Sequence, residues 1–143
     1  MDSKTLPGII LDDTHAELKG EWKDSALFKP YVDTGYRHDD QRADGESVAI
    51  FRFTAPKSGQ YKLAMAYSAH ETRASNVPVI VMSGGRTVEL KVDQTEPLPV
   101  GDCFRVIGTI ELEGNSESMI TVSNAGTDGF VILDALQLVL VQE

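Results

Sequence analysis

Apolar and polar residues alternate along most of this chain, and clusters of Gly, Pro, Ser and Asn break the alternation at near-regular intervals. A period of two with turn signals between predicts strands, whereas helices need a period near 3.6. Strands are expected over residues 47–53, 61–67, 77–82, 87–93, 104–112, 118–124 and 130–140. In the second of these, Tyr61, Leu63, Met65 and Tyr67 alternate with Lys62, Ala64, Ala66 and Ser68, so one face is bulky and the other small. Between the third and fourth lies Ser83-Gly84-Gly85-Arg86, a hairpin signal because glycine accepts the positive φ of primed turns. In the fourth, Val88, Leu90 and Val92 are expected to point inward and Glu89, Lys91 and Asp93 outward; in the sixth, Ile120 and Val122 point inward. Helical periodicity is nearly absent, with one turn at most over 14–19. At least seven short strands with these turns predict an all-β fold, a two-sheet antiparallel β-sandwich with jelly-roll connections.

The run 130–140 is apolar on both alternating faces except at Asp134 and Gln137, the pattern of a central strand buried on both sides. A carboxylate there costs several kcal/mol unless it is hydrogen-bonded, paired or bound to a metal. Asp134 therefore needs a partner.

The length of 143 residues fits one ordinary domain that stands without disulfides. Residues 1–8 read as a disordered lead, and 9–143 as the single domain. The lone Cys103, beside Phe104, reads as a small buried hydrophobe and leaves the redox compartment undecided. A formal charge of −9 argues against nucleic acid and against an anionic membrane as partners. No stretch approaches the ~20 apolar residues of a membrane-spanning helix, and Met1-Asp2-Ser3-Lys4 has no apolar signal core. An opening of this kind is expected of a domain within a longer secreted protein, extracellular or periplasmic, whose signal lies upstream.

Two regions break the pattern. Residues 19–45 are long, polar and aromatic-bearing, with Trp22, Phe28, Tyr31 and Tyr36, as expected of a functional loop. Residues 94–102 carry Pro97 and Pro99, which bar a central strand.

The series Asp12-Asp13, Gly20-Glu21-Trp22, Thr34-Gly35-Tyr36, Ser58-Gly59-Gln60-Tyr61, Arg73-Ala74-Ser75-Asn76-Val77-Pro78-Val79, Val92-Asp93-Gln94, Ile107-Gly108 and Gly129-Phe130-Val131-Ile132-Leu133-Asp134-Ala135 resembles the golvesin C-terminal-like domain, the carbohydrate-binding-like domain of xanthan lyases, over nearly the whole chain. Phe104 and Ile107-Gly108 stand where that pattern has a Trp shortly before a Leu-Gly step. The resemblance implies a jelly-roll module appended to a larger bacterial enzyme such as a lyase, peptidase or oxidoreductase. Its implied partners are carbohydrate or the enzyme's own catalytic domain.

Three sets of residues carry candidate chemistry. The polar inter-strand loop with His70, Arg73 and Asn76 offers a planar fork of donors and an amide, suited to sugar hydroxyls or carboxylates; alternatively Arg73 and Asn76 tie down their own turn. Trp22, Tyr31 and Tyr36 offer aromatic faces on which a sugar ring stacks, or else anchor the loop. If the first strand lies beside the last, Asp12, Asp13, Glu17 and Asp134 converge on one cation, for which Ca²⁺ is suited by its six to eight oxygen ligands. Structural calcium is also what the resemblance to sugar-binding jelly rolls implies. The competing reading is that Asp134 accepts backbone N–H groups and no cofactor is present. His15, His38 and His70 are scattered and no nucleophile elbow or zinc spacing occurs. The segment Tyr36-Arg37-His38 with His70 and Arg73 holds the residue types of a polysaccharide lyase, but reads first as solvated loop, so no catalysis is expected of this domain.

Overall fold

The computed structural model describes residues 8–25, 35–39, 45–98 and 104–141. Twelve strands occupy them. They are β1 (Ile9–Asp12), β2 (Glu17–Lys19), β3 (Lys23–Ser25), β4 (Tyr36–His38), β5 (Val48–Thr54), β6 (Gly59–Ala66), β7 (Val77–Ser83), β8 (Arg86–Val92), β9 (Phe104–Leu112), β10 (Glu117–Ser123), β11 (Ile132–Leu133) and β12 (Ala135–Leu140). One sheet has the order β1-β12-β6-β9 and faces a second of order β2-β5-β10-β7-β8; a small third sheet, β11-β4-β3, lies at one end. Every strand pair in the three sheets is antiparallel. The expected all-β sandwich is the observed one.

The core fills from the alternation. Tyr61, Leu63 and Met65 of β6 and Leu136 and Leu138 of β12 meet Phe51 of β5, Val79 and Val81 of β7, and Ile120 and Val122 of β10, all buried in one cluster. The small face of β6 forms a second cluster on the outer side of its sheet, Ala64 and Ala66 with Phe104 and Ala135. The hairpin forms at Gly84 and Gly85, with φ of 57° and 77°, values that side-chain-bearing residues rarely adopt.

Four expectations need correction. The run 130–140 is not one strand: it breaks at Asp134, so that β11 pairs with β4 while β12 pairs with β1 and β6. Burial on both faces comes instead from a chain that changes sheets. Residues 19–45 are not wholly loop, since β3 and β4 form there; residues 26–34 and 40–44, with Tyr31, lie outside the described residues. In place of a helical turn over 14–19 there is a 3₁₀ turn, Asp13–His15, followed by β2. In β8, Val92 is buried but Val88 is 44% exposed, as an edge strand allows because it has a neighbour on one side alone. Cys103 and residues 1–7 also fall outside the described residues.

Candidate functional site

At one end of the sandwich β1 meets β12 with Asp12 opposite Ala135, which brings the first acids of the chain to the sheet-changing residue Asp134. All three carboxylates of Asp12, Asp13 and Asp134 are buried, and their oxygens lie within 4.8 Å of one another. Local structure fixes Asp12, and a strand 24 residues on fixes Asp13. Asp12 caps the 3₁₀ turn: its Oδ2 accepts from Thr14 N (3.3 Å) and Thr14 Oγ1 (2.7 Å), while its own N–H donates to His15 Nδ1 (3.2 Å). Asp13 Oδ2 accepts from Arg37 Nε of β4 at 2.9 Å, and Arg37 Nη1 reaches Asp24 Oδ1 of β3 at 2.8 Å.

The electrostatics are those of too many negative charges in too little water. Burial, then the Asp12 charge beside it, pushes the Asp13 carboxyl up to about 7 against the pull of Arg37. Oδ1 of Asp12 and Oδ1 of Asp134 are buried oxygens that accept no hydrogen bond among the described residues, although Asp134 engages in another interaction. Buried hard oxygens left over in this way fit a cation of the Ca²⁺ type rather than zinc, which takes nitrogen and sulfur as readily. The remaining acid of the expected set, Glu17, does not join: on the exposed strand β2 it pairs with Arg52 at 3.4 Å.

Beside the acids opens a polar basin of about 400 Å³, lined by Asp13, Thr14, Asp24, Ser25, Tyr36 and Arg37. It holds one guanidinium, two carboxylates and three hydroxyl side chains, the mixture that reads a polyhydroxyl ligand. Asp24, Ser25, Thr14 and Arg37 are site residues that the sequence pattern does not single out as ligands. The pairing of two three-residue strands, β3 with β4, places Asp24, Ser25 and Arg37, and the 3₁₀ turn places Thr14.

The residues expected to bind ligand come together only in part, and each has a structural engagement. Arg73 is 6% exposed; its Nε donates to Ser68 O (2.9 Å) and its Nη2 to Ser68 Oγ (3.1 Å). Burial lowers its pKa, an effect that the adjoining Tyr36 hydroxyl opposes. Asn76 clips the 126–128 turn, with Nδ2 donating to Gly126 O (3.0 Å) and Oδ1 accepting from Asp128 N (3.2 Å). Next to it Asp128 takes Ser75 N at 2.7 Å. Gly129 lets the two loops touch, since a Cβ there would stand 2.6 Å from Arg73 O. His70 Nδ1 faces Thr72 Oγ1 at 2.9 Å. Tyr36 is buried, its hydroxyl accepting from Ser25 Oγ at 3.3 Å, and Trp22 packs against the core with Nε1 donating to Val48 O at 3.3 Å. Arg73 and Tyr36 therefore meet as buried supports, and His70 belongs to the same turn, its carbonyl O accepting from Arg73 N at 3.1 Å. The one aromatic pair resolved among the described residues is His38 edge-on to Phe130, with ring centroids 5.6 Å apart.

Over residues 9–140 the chain matches the Golvesin C-terminal domain. It is similar to part of a Paenibacillus xanthan lyase, with 30% identity and a TM-score of 0.83 over 93% of this chain and 13% of that one. The fold is also that of the family 35 carbohydrate-binding modules of Paenibacillus barcinonensis (TM-score 0.65, 16% identity, 94% of this chain and 100% of that one) and Clostridium thermocellum (TM-score 0.65, 16% identity, 93% and 98%). No curated protein sequence matches the chain. The chain belongs to the Golvesin C-terminal domain family.

Proposed function

We propose that this chain is a non-catalytic accessory module that holds carbohydrate for a larger, exported bacterial enzyme. The observation that carries the reading is the polar basin of about 400 Å³ beside three buried carboxylates at the loop end. Hydroxyl-rich ligands are read by such mixtures of carboxylate, guanidinium and hydroxyl groups. Modules of this fold include one named as mannan-binding and domains of a β-(1,4)-mannanase and an isomalto-dextranase. The histidines give no acid–base arrangement: His15 serves the Asp12 cap, His38 packs on Phe130 and His70 braces Thr72. Asp12, Asp13 and Asp134 would hold Ca²⁺, whose charge would neutralise the cluster and fix the 3₁₀ turn that forms one wall of the basin.

A polysaccharide array followed by titration calorimetry tests this. At least one glycan is expected to bind at micromolar to millimolar Kd, and Asp24→Ala, whose side chain is 80% exposed, is expected to weaken it about tenfold without changing stability, the loss of one good hydrogen bond to a charged group. A silent array removes the reading. For the cation, excess Ca²⁺ should raise the melting temperature over excess EDTA by mass action, and Asp134→Ala should abolish that rise; identical wild-type curves dismiss the metal.

A second reading, docking against the enzyme's own catalytic domain, is favoured by one face. On the outer side of the five-stranded sheet Ile50, Thr121 and Ile80 lie in one row and Met119 and Met82 in the next, with Met82 43% exposed. Arg52, Glu117, Glu89 and Lys91 flank them, giving the apolar centre and charged rim of an interface. Co-purification with the catalytic domain, lost in Met82→Glu, would establish it.

A further inference from the structure

We propose that a second saccharide-binding cleft lies at the opposite end of the sandwich, built by Arg86, Glu111 and Glu113. The proposal rests on the carbohydrate reading above, but on none of its residues. Strand β6 runs from one end to the other: Ala66 lies by Ala135 near the acids, whereas Gly59 lies by Leu112 at the turn end. Its eight residues put about 24 Å between the two.

Three turns are stitched together at that end. Ser58 Oγ, after β5, accepts from Gly114 N at 2.9 Å. Ser83 Oγ, at the β7–β8 hairpin, accepts from Glu113 N at 2.9 Å and is bonded to Ser118 Oγ at 2.7 Å. Between them remains a cleft of about 160 Å³ lined by Ser58, Ser83, Gly84, Arg86, Glu111 and Glu113. That is the space of about five waters, suited to one sugar ring rather than a length of polymer.

The polar groups facing the cleft are held but not committed. Glu113 is exposed and its carboxylate makes no hydrogen bond or ion pair among the described residues. It lies against Gly84, where a Cβ would sit 2.7 Å from Glu113 Oε2, so the hairpin glycine is what leaves room for it. Arg86 pairs with Glu111 across the two sheets, their side chains 65% and 58% exposed. A pair so open contributes only about 0–1 kcal/mol to stability, and a ligand exchanges with it at little loss. Two carboxylates accept from sugar hydroxyls, and the guanidinium fork donates to the oxygens of a neighbouring pair. Together with the loop-end basin, such a cleft makes the module bivalent, able to bridge two chains or grip one twice, with the gain in avidity that linkage supplies.

Titration of the ¹⁵N-labelled chain with mannohexaose and isomaltohexaose tests this. The expected shifts fall in two groups, around Thr14, Asp24 and Arg37 and around Gly84, Arg86 and Glu113. Arg86→Ala, and separately Glu113→Gln, should weaken the second group about tenfold and leave the first group and the melting curve in place. Shifts confined to the loop end, or turn-end shifts indifferent to both substitutions, overturn the second cleft while the carbohydrate reading stands. Turn-end shifts alone keep the cleft and remove the basin. Silence at both ends overturns both.

Discussion

Asp13→Asn should make the metal-free protein more stable at pH 8 and remove most of a pH dependence that the wild type shows. In the folded chain the Asp13 carboxyl is pushed up from 3.8 to about 7 by burial and by Asp12. Its native form therefore holds a proton that the unfolded chain has released, and stability falls as pH rises through the window from about 4 to about 7. At about 1.4 kcal/mol per pKa unit, the full loss is about 4 kcal/mol, of which about 2.5 falls between pH 5 and pH 8. Asparagine has no charge to desolvate and its Oδ1 still accepts from Arg37 Nε, although that bond loses its charge assistance, at about 1 kcal/mol. The variant should gain about 3 kcal/mol at pH 8 and about 0.5 at pH 5. Urea denaturation in EDTA at pH 5, 6, 7 and 8, wild type against variant, measures it. A difference that does not change with pH, or a variant less stable at pH 8, refutes the argument that these acids are crowded and dry. In excess Ca²⁺ the order should reverse, since the variant has lost a ligand.

Gln94→Leu should cost about 2–5 kcal/mol, because the side-chain amide at a fully buried site accepts from Ile132 N (2.7 Å) and donates to Ile132 O (2.9 Å), and leucine leaves both backbone groups unsatisfied at about 1–3 kcal/mol each. A drop below 1 kcal/mol in the denaturant analysis would show that water replaces the amide. Gly84→Ala should cost more than Gly85→Ala: both residues have positive φ, but only at Gly84 does the added Cβ meet a neighbour, Glu113 Oε2. Equal melting temperatures for the two would mean that the Glu113 carboxylate swings away freely. Arg73→Ala should lower stability by about 2–3 kcal/mol, stripping Ser68 of two buried charge-assisted bonds; glycan binding lost with unchanged stability would return Arg73 to the ligand site.

Much of the fold is legible because a two-residue period is a local property. Tyr61, Leu63 and Met65 point to one side and Lys62, Ala64 and Ala66 to the other whatever the strand pairs with, and Gly84-Gly85 dictates a tight turn by its backbone freedom alone. The acid set is half legible: the sequence marks Asp134 as a carboxylate in apolar surroundings, but only the β1–β12 pairing brings Asp12 and Asp13 to it, and sends Glu17 to Arg52 instead. The change of sheet at Asp134 has no sequence signal, since a strand buried on both faces and a strand that switches partners read alike. Arg73 and Asn76 look like binding equipment in one dimension because their types are those of binding residues. Arg73 is committed five residues back, to Ser68, by the path of its own loop, and Asn76 to the 126–128 turn by two loops 50 or more residues apart meeting in space. The buried polar links are invisible for the same reason. Gln94 to Ile132, and Asp39 to Asn124 and to the Val131 N–H, join residues distant in sequence. Periodicity decides which side of a strand each residue occupies; which groups finally meet is decided by pairing at long range.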